Sequence, residues 1–396
     1  MREILILAIC QGLLLTHGVS MVAVTGLAGR AIAPDPGLAT LPLTAYVLGG
    51  AAITLPAAFF MHRYGRRAGF SFGALLGCVG ALVCAFAVMN RSFVLLILGS
   101  ALCGGYTAFG QQYRFAAADA ASPTWKSRAI SLTLAGGILG GVLGPWASTH
   151  TRHILEPAYL GTYLSLAGIA LVALACVSRL NIPPLTAVER ARSGRPISEI
   201  ARQPAYLIAV LAAATGYGVM NLLMTATPLA MDICGHPYAD TALVLEWHVI
   251  GMFAPSFFTG DIIKRFGVLK VIFTGTALMA VCISIALNGA SVMHFWWALV
   301  LLGVGWNFLY IGGTTLLVET YRSEEKAKAQ GTNDFIVFVI QGITSFASGI
   351  LISRQGWETL NTYALPAVAV TAAATLIYGW RTRRKSVADG SSRASS

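Results

Sequence analysis

The chain has 396 residues, of which 56% are hydrophobic and only 11% charged, and its mean hydropathy is +0.70. So few charges do not cover the surface of a soluble protein of this length, so much of the apolar excess must face lipid. The formal net charge of +11 needs no nucleic-acid partner if the basic residues line the anionic face of a membrane.

In chain order, a window of about twenty residues, enough to cross some 30 Å of hydrocarbon, finds twelve apolar runs. They lie near residues 4–29, 41–61, 69–89, 92–113, 129–149, 158–178, 204–230, 244–263, 268–288, 293–318, 332–353 and 360–380. The first follows Arg2 but is longer than a signal-peptide core and has no evident cleavage site, so it reads as a span. Lipid offers no partner for backbone N–H and C=O groups, so runs of this length are helices; a β-barrel would need shorter, alternating segments. The expected fold class is therefore an all-α membrane protein with twelve transmembrane helices.

Charge orients the chain. With a cytoplasmic N-terminus, the inside segments hold 23 of the 27 basic residues and leave only Arg30, Arg91, Arg152 and Arg354 outside. Both termini are then cytoplasmic, and a bacterial inner membrane is the expected location. Six of the seven cysteines, all but Cys234, fall within spans, and their spacing suggests neither a metal site nor a disulfide framework. No cofactor is expected.

The chain also repeats itself. With an offset of 202, Arg63-Tyr64-Gly65 falls on Arg265-Phe266-Gly267; with an offset of 200, Asp119 falls on Glu319, Lys126 on Lys326 and Arg128 on Lys328. "HGVSM" (His17 to Met21) falls on "YGVMN" (Tyr217 to Asn221) at the same offset. The pattern divides the chain into a six-helix half at 1–178, a basic linker at 179–203, a second half at 204–380, and a Ser-rich tail at 381–396 expected to be disordered.

These residues resemble the major facilitator superfamily. Its loop between the second and third helices reads Gly-x-x-x-Asp-Arg-x-Gly-Arg-Arg. Arg63, Gly65, Arg66 and Arg67 match, while Ala58 and His62 stand at the glycine and aspartate positions; the second copy keeps Gly260, Arg265 and Gly267. The resemblance implies a gating role for Arg63, Arg66, Arg67 and Arg265, with Asp119 and Glu319 as expected carboxylate partners. "GGVLGP" (Gly140 to Pro145) is similar to a helix-5 pattern of proton antiporters, although close helix packing explains it equally well. "QQYRFAAAD" (Gln111 to Asp119) and "MNLLMTATPLAM" (Met220 to Met231) look like stretches in bacterial riboflavin-transporter-like permeases of this superfamily.

The resemblance implies a substrate site near mid-membrane, lined mainly by helices 1, 4, 7 and 10. Those helices carry Gln11 and His17; Tyr106, Thr107 and Gln111; Tyr217 and Asn221; and Trp306, Asn307 and Tyr310. Tyr106-Thr107 and Trp306-Asn307 are equivalent under the offset of 200, and an aromatic beside a short polar group suits a planar ligand. Tyrosine and tryptophan also serve simply as packing residues or interfacial anchors. Ionisable groups inside a membrane are costly, which makes His17, Glu246 and His248 the candidates for proton coupling. Asp334 and Asp261 lie near the cytoplasmic ends and point instead to gating or capping.

The four central helices carry no Arg or Lys at depth, so an anionic solute would lack its counter-charge. The expectation is a monomeric secondary transporter for a neutral or amphipathic, aromatic-containing solute, with proton coupling left open. A multidrug or metabolite exporter and a riboflavin uptake permease are the alternatives within that class, and a non-transporting sensor lies outside it. An enzyme is not expected, because neither HExxH nor GxGD occurs, and no Walker A sequence is present.

Overall fold

The computed structural model describes residues 1–35, 38–39, 41–182 and 194–394. Residues 183–193 of the expected linker, including Arg190 and Arg192, lie outside the described residues, as do the last two residues of the tail. The described chain is helical and forms two compact units. Unit 1 comprises Met1–Arg195 together with Tyr321–Gly342; unit 2 comprises Pro196–Thr320 and Ile343–Ser396.

Unit 1 is built from α1 (Arg2–Ile32), α2 (Leu41–Tyr64), α3 (Arg66–Met89), α4 (Phe93–Gly110), α5 (Tyr113–Ala120), α6 (Lys126–Ala135), α7 (Gly137–Thr151) and α8 (Leu160–Val177). α4 with α5, and α6 with α7, each continue one span across a short break. After the turn α9 (Ile197–Ile200), unit 2 is built from α10 (Pro204–Ile233), α11 (Tyr238–Phe253), α12 (Ser256–Phe266), α13 (Val268–Leu287) and α14 (Val292–Leu317). The last helical run, α15 (Lys326–Ala394), serves both units and is interrupted at Gly356, where φ is 82° and ψ 177°.

Ten helices among the described residues are long and apolar enough to cross a membrane, and α11 with α12, bent by 43°, form an eleventh span. The break at Gly356 divides α15 in two and supplies the twelfth. Helix continues through the expected tail as far as Ala394.

Side-chain placement is inverted relative to a water-soluble bundle. On α3, Gly73, Ala74, Gly77, Cys78 and Ala81 face inward, while Phe72, Leu75, Val79, Leu82 and Phe86 are exposed at three- and four-residue intervals. Water would penalise so continuous an apolar stripe, so this face meets lipid. Small residues face inward because helices attract one another in lipid mainly through close van der Waals contact. A Cβ on Gly104 would lie 1.9 Å from the Tyr46 carbonyl oxygen of α2, and one on Gly136 would lie 1.9 Å from the Ala8 carbonyl oxygen of α1.

The sequence repeat has a backbone counterpart. Gly65, between α2 and α3, has φ 88°, and Gly267, between α12 and α13, has φ 91°. Each has ψ near 150–160°, a region essentially restricted to glycine. A 3₁₀ turn precedes α6 at Pro123–Trp125, and its counterpart at Ser323–Glu325 precedes α15.

Candidate functional site

In unit 1, α1 and α4 bring His17 and Tyr106 together. Both are fully buried, and their rings meet edge to face with centroids 5.3 Å apart. Neither imidazole nitrogen, nor the Tyr106 hydroxyl, makes a hydrogen bond of good geometry among the described residues. The Gly77 backbone is a polar neighbour of the imidazole and Tyr113 of the Tyr106 hydroxyl. The next residue, Thr107, bonds to the Tyr46 hydroxyl at 2.7 Å, which draws α2 into the cluster. Gln11 is buried on α1, six residues before His17. Gln111 follows α4, and its backbone carbonyl and its Oε1 both accept from the Arg114 guanidinium.

In unit 2, three expected residues form one aromatic cluster. Trp306 and Tyr310, one turn apart on α14, stack with centroids 5.1 Å apart. Tyr217 of α10 meets both edge-on, at 5.3 and 4.8 Å. Phe253, which residue patterns do not single out, packs edge-on against Trp306 at 5.6 Å. Trp306 is buried, and its Nε1 finds no hydrogen-bond partner among the described residues. Asn221 donates to Thr344 Oγ1 at 3.1 Å. Asn307 is engaged at both ends of its amide, with Met252, Ser256 and Thr259.

The coupling candidates separate. His248 is buried and bonded through Nδ1 to the Leu299 carbonyl at 2.8 Å, so this nitrogen carries the proton. Glu246 lies on the exposed face of α11 beside exposed Trp247. The structure does not bring either of them to the aromatic cluster.

The basic turns lead into an ionic network in unit 1. Asp119 pairs with Arg66 at 3.2 Å and Lys326 at 2.7 Å, so the position expected for Arg63 is taken by the second arginine of the turn. Arg66 also reaches Gln112 Oε1 at 3.0 Å and Gln330 Oε1 at 2.7 Å. Arg63 lies over the ring of Tyr64, and Arg265 likewise over Phe266. Arg67 and Glu319 lie at exposed positions.

Beneath this layer, Arg114 and Asp334 form a salt bridge with both side chains almost fully buried. Gln112 and Asn333 donate to the same carboxylate at 2.8 and 2.9 Å. The sequence points to Asp334 near a gate but not to its partner Arg114; the available signal is an arginine within an otherwise apolar "YRFAAA" stretch. Gln330 donates to the Tyr321 hydroxyl, and burial pushes that phenol well above its ordinary pKa, keeping it neutral. Arg195, within the linker, grips buried Glu325 through two guanidinium bonds of 2.8 and 2.7 Å and a backbone N–H at 2.9 Å.

A chain helical through its described residues, with lipid-facing spans, a repeated basic turn and buried aromatic clusters, has the make-up of a multi-pass membrane transporter. The sequence profile of the Major Facilitator Superfamily matches residues 5–254 and 243–395, and the chain belongs to that family. The riboflavin transporter RfnT of Brucella anthropi is 41% identical over 372 residues, covering 93% of this chain and 94% of that one. YdeG of Bacillus subtilis, an uncharacterized transporter of the same superfamily, is 30% identical over 86% of this chain and 83% of its own length. Among solved structures, the E. coli fucose:proton symporter FucP aligns with a TM-score of 0.76 at 17% identity, covering 95% and 99% of the two chains. The proton:xylose symporter XylE aligns at 0.78 and 13% identity, covering 96% and 95%. At those identities the structures speak for the fold alone.

Proposed function

We propose that this chain carries riboflavin, or a flavin-like neutral heteroaromatic, into the cell across a bacterial inner membrane, working as a monomer by alternating access. The observation that carries the proposal is the buried aromatic cluster of unit 2, where Trp306 lies among Tyr217, Phe253 and Tyr310 with its Nε1 unbonded among the described residues. A planar ring system gains from stacking on such residues, and an indole N–H is a donor for a ring carbonyl. The central spans carry no fixed charge, which fits a neutral isoalloxazine ring and a hydroxylated side chain. The relative that transports riboflavin matches over nearly its whole length, which supports the same substrate class.

In unit 1, His17 and Tyr106 are the polar contacts we assign to the substrate, with Thr107 held by Tyr46. His17 is also the residue we assign to proton coupling, because it is an ionisable group fully buried inside a span. The 23 basic residues that fall on one side when the N-terminus is cytoplasmic support cytoplasmic termini. The network around Arg66 and Asp119 then acts as a gate at the cytoplasmic side.

The test is uptake of labelled riboflavin by a riboflavin auxotroph expressing the chain, alongside growth at limiting vitamin. Uptake that is saturable and lost in Trp306→Ala is expected. Expression at normal levels without uptake or rescue would remove the flavin assignment, and thermal stabilisation by many cationic hydrophobes would redirect it to drug export.

A further inference from the structure

The eighth span is broken, and a residue of the tenth is bonded across the break. α11 stops at Phe253 and α12 resumes at Ser256, with a bend of 43°. Pro255 has no N–H with which to continue the helical ladder. One residue beyond Gly251, whose carbonyl thereby loses its helical donor, the carbonyl of Met252 accepts from Nδ2 of Asn307 at 2.6 Å. The same nitrogen lies 2.5 Å from Ser256 Oγ, and Asn307 Oδ1 accepts from Thr259 Oγ1 at 2.7 Å. One fully buried amide thus binds both sides of the break. Two glycines permit the approach. A Cβ on Gly303 would lie 2.5 Å from the His248 carbonyl oxygen, and one on Gly251 would lie 2.8 Å from that of Val300.

Phe253 is the last residue before the break, and its ring packs on Trp306, the residue preceding Asn307. We infer that Asn307 is a positioning residue: it pins the α11–α12 break and so fixes Phe253 against Trp306, setting the aromatic surface that the substrate ring meets. Asn307 then acts on the substrate through Phe253 and not by touching it. An asparagine suits the task because it donates twice and accepts at once. The inference rests on the reading of Trp306 as the stacking residue.

The experiment combines hydrogen–deuterium exchange of the purified full chain with riboflavin binding, read by quenching of tryptophan fluorescence. Asn307→Ala is expected to raise exchange across 252–260 about tenfold while leaving α13 unchanged, and to weaken riboflavin binding about tenfold. Phe253→Leu should weaken binding to a similar degree, and the double variant little further, because the two residues act in series. Thr259→Val, a milder cut through the same knot, should move both readouts the same way if Asn307→Ala does not fold. Unchanged exchange at the break, or a double variant weaker by about a hundredfold, would overturn the inference. If the wild-type chain binds no riboflavin, the flavin reading fails separately. Exchange at the break and a melting-temperature cycle for the same two substitutions then decide the positioning role, and shifts that simply add overturn it.

Discussion

Trp306 and Arg114 show two uses of a large buried side chain. Trp306 sits among rings and leaves a donor unbonded among the described residues, whereas Arg114 is matched by Asp334 and its neighbours. Removing the indole should therefore weaken ligand binding in addition to its cost in core packing. Trp306→Ala is expected to raise the riboflavin dissociation constant at least tenfold, about 1.4 kcal/mol, in a quenching or calorimetric titration. Arg114 bears on the fold alone. Asp334→Ala strands a guanidinium out of water and should cost about 3–5 kcal/mol of stability, seen as a lower melting temperature. Replacing both partners by apolar residues of similar volume should recover most of that loss, because no unpaired charge then remains.

At the scale of elements, close approach and the repeated turn govern the helices. Gly104→Ala would push a methyl into the Tyr46 carbonyl of α2, while the same change at Gly105 meets only side-chain atoms at 3.3 Å or beyond. Gly104→Ala is expected to destabilise by about 1–3 kcal/mol and Gly105→Ala by clearly less, in matched thermal melts. The turn after α2 belongs to the gate we propose. Arg66 bonds Asp119, Gln112 and Gln330, whereas Arg63 lies over Tyr64. Arg66→Ala should thus lower the transport rate several-fold with little change in riboflavin affinity. An unchanged rate at normal expression would count against the gate.

For the whole molecule, the distribution of charge bears on the solute class we propose. Between Ile4 and Gly29, Phe93 and Gly110, Pro204 and Met231, and Val292 and Leu317 there is no Arg, Lys, Asp or Glu. A phosphorylated flavin would enter without a counter-charge and lose its hydration. Riboflavin at a hundred times its dissociation constant should stabilise the folded chain by about 2.7 kcal/mol. Flavin mononucleotide at the same concentration should give little or no stabilisation in the same thermal-shift assay.

The membrane-crossing segments were legible in the residues because lipid imposes one length and one hydrogen-bonding rule on every one of them, and the internal repeat was legible beside them. The glycines at Gly65 and Gly267 were visible for a related reason: a repeated turn needs the same backbone freedom twice. What spacing did not disclose was partnership. Arg66 rather than Arg63 meets Asp119, Arg114 meets Asp334 from 220 residues away, and Arg195 grips Glu325. Nor did it show that Asn307 would be taken up by the break at Pro255, or that Phe253 would join Trp306. A sequence determines which segments cross the membrane because that depends on local composition. Which buried donor finds which acceptor depends on how helices distant in the chain rotate and pack, and only the tertiary structure decides that.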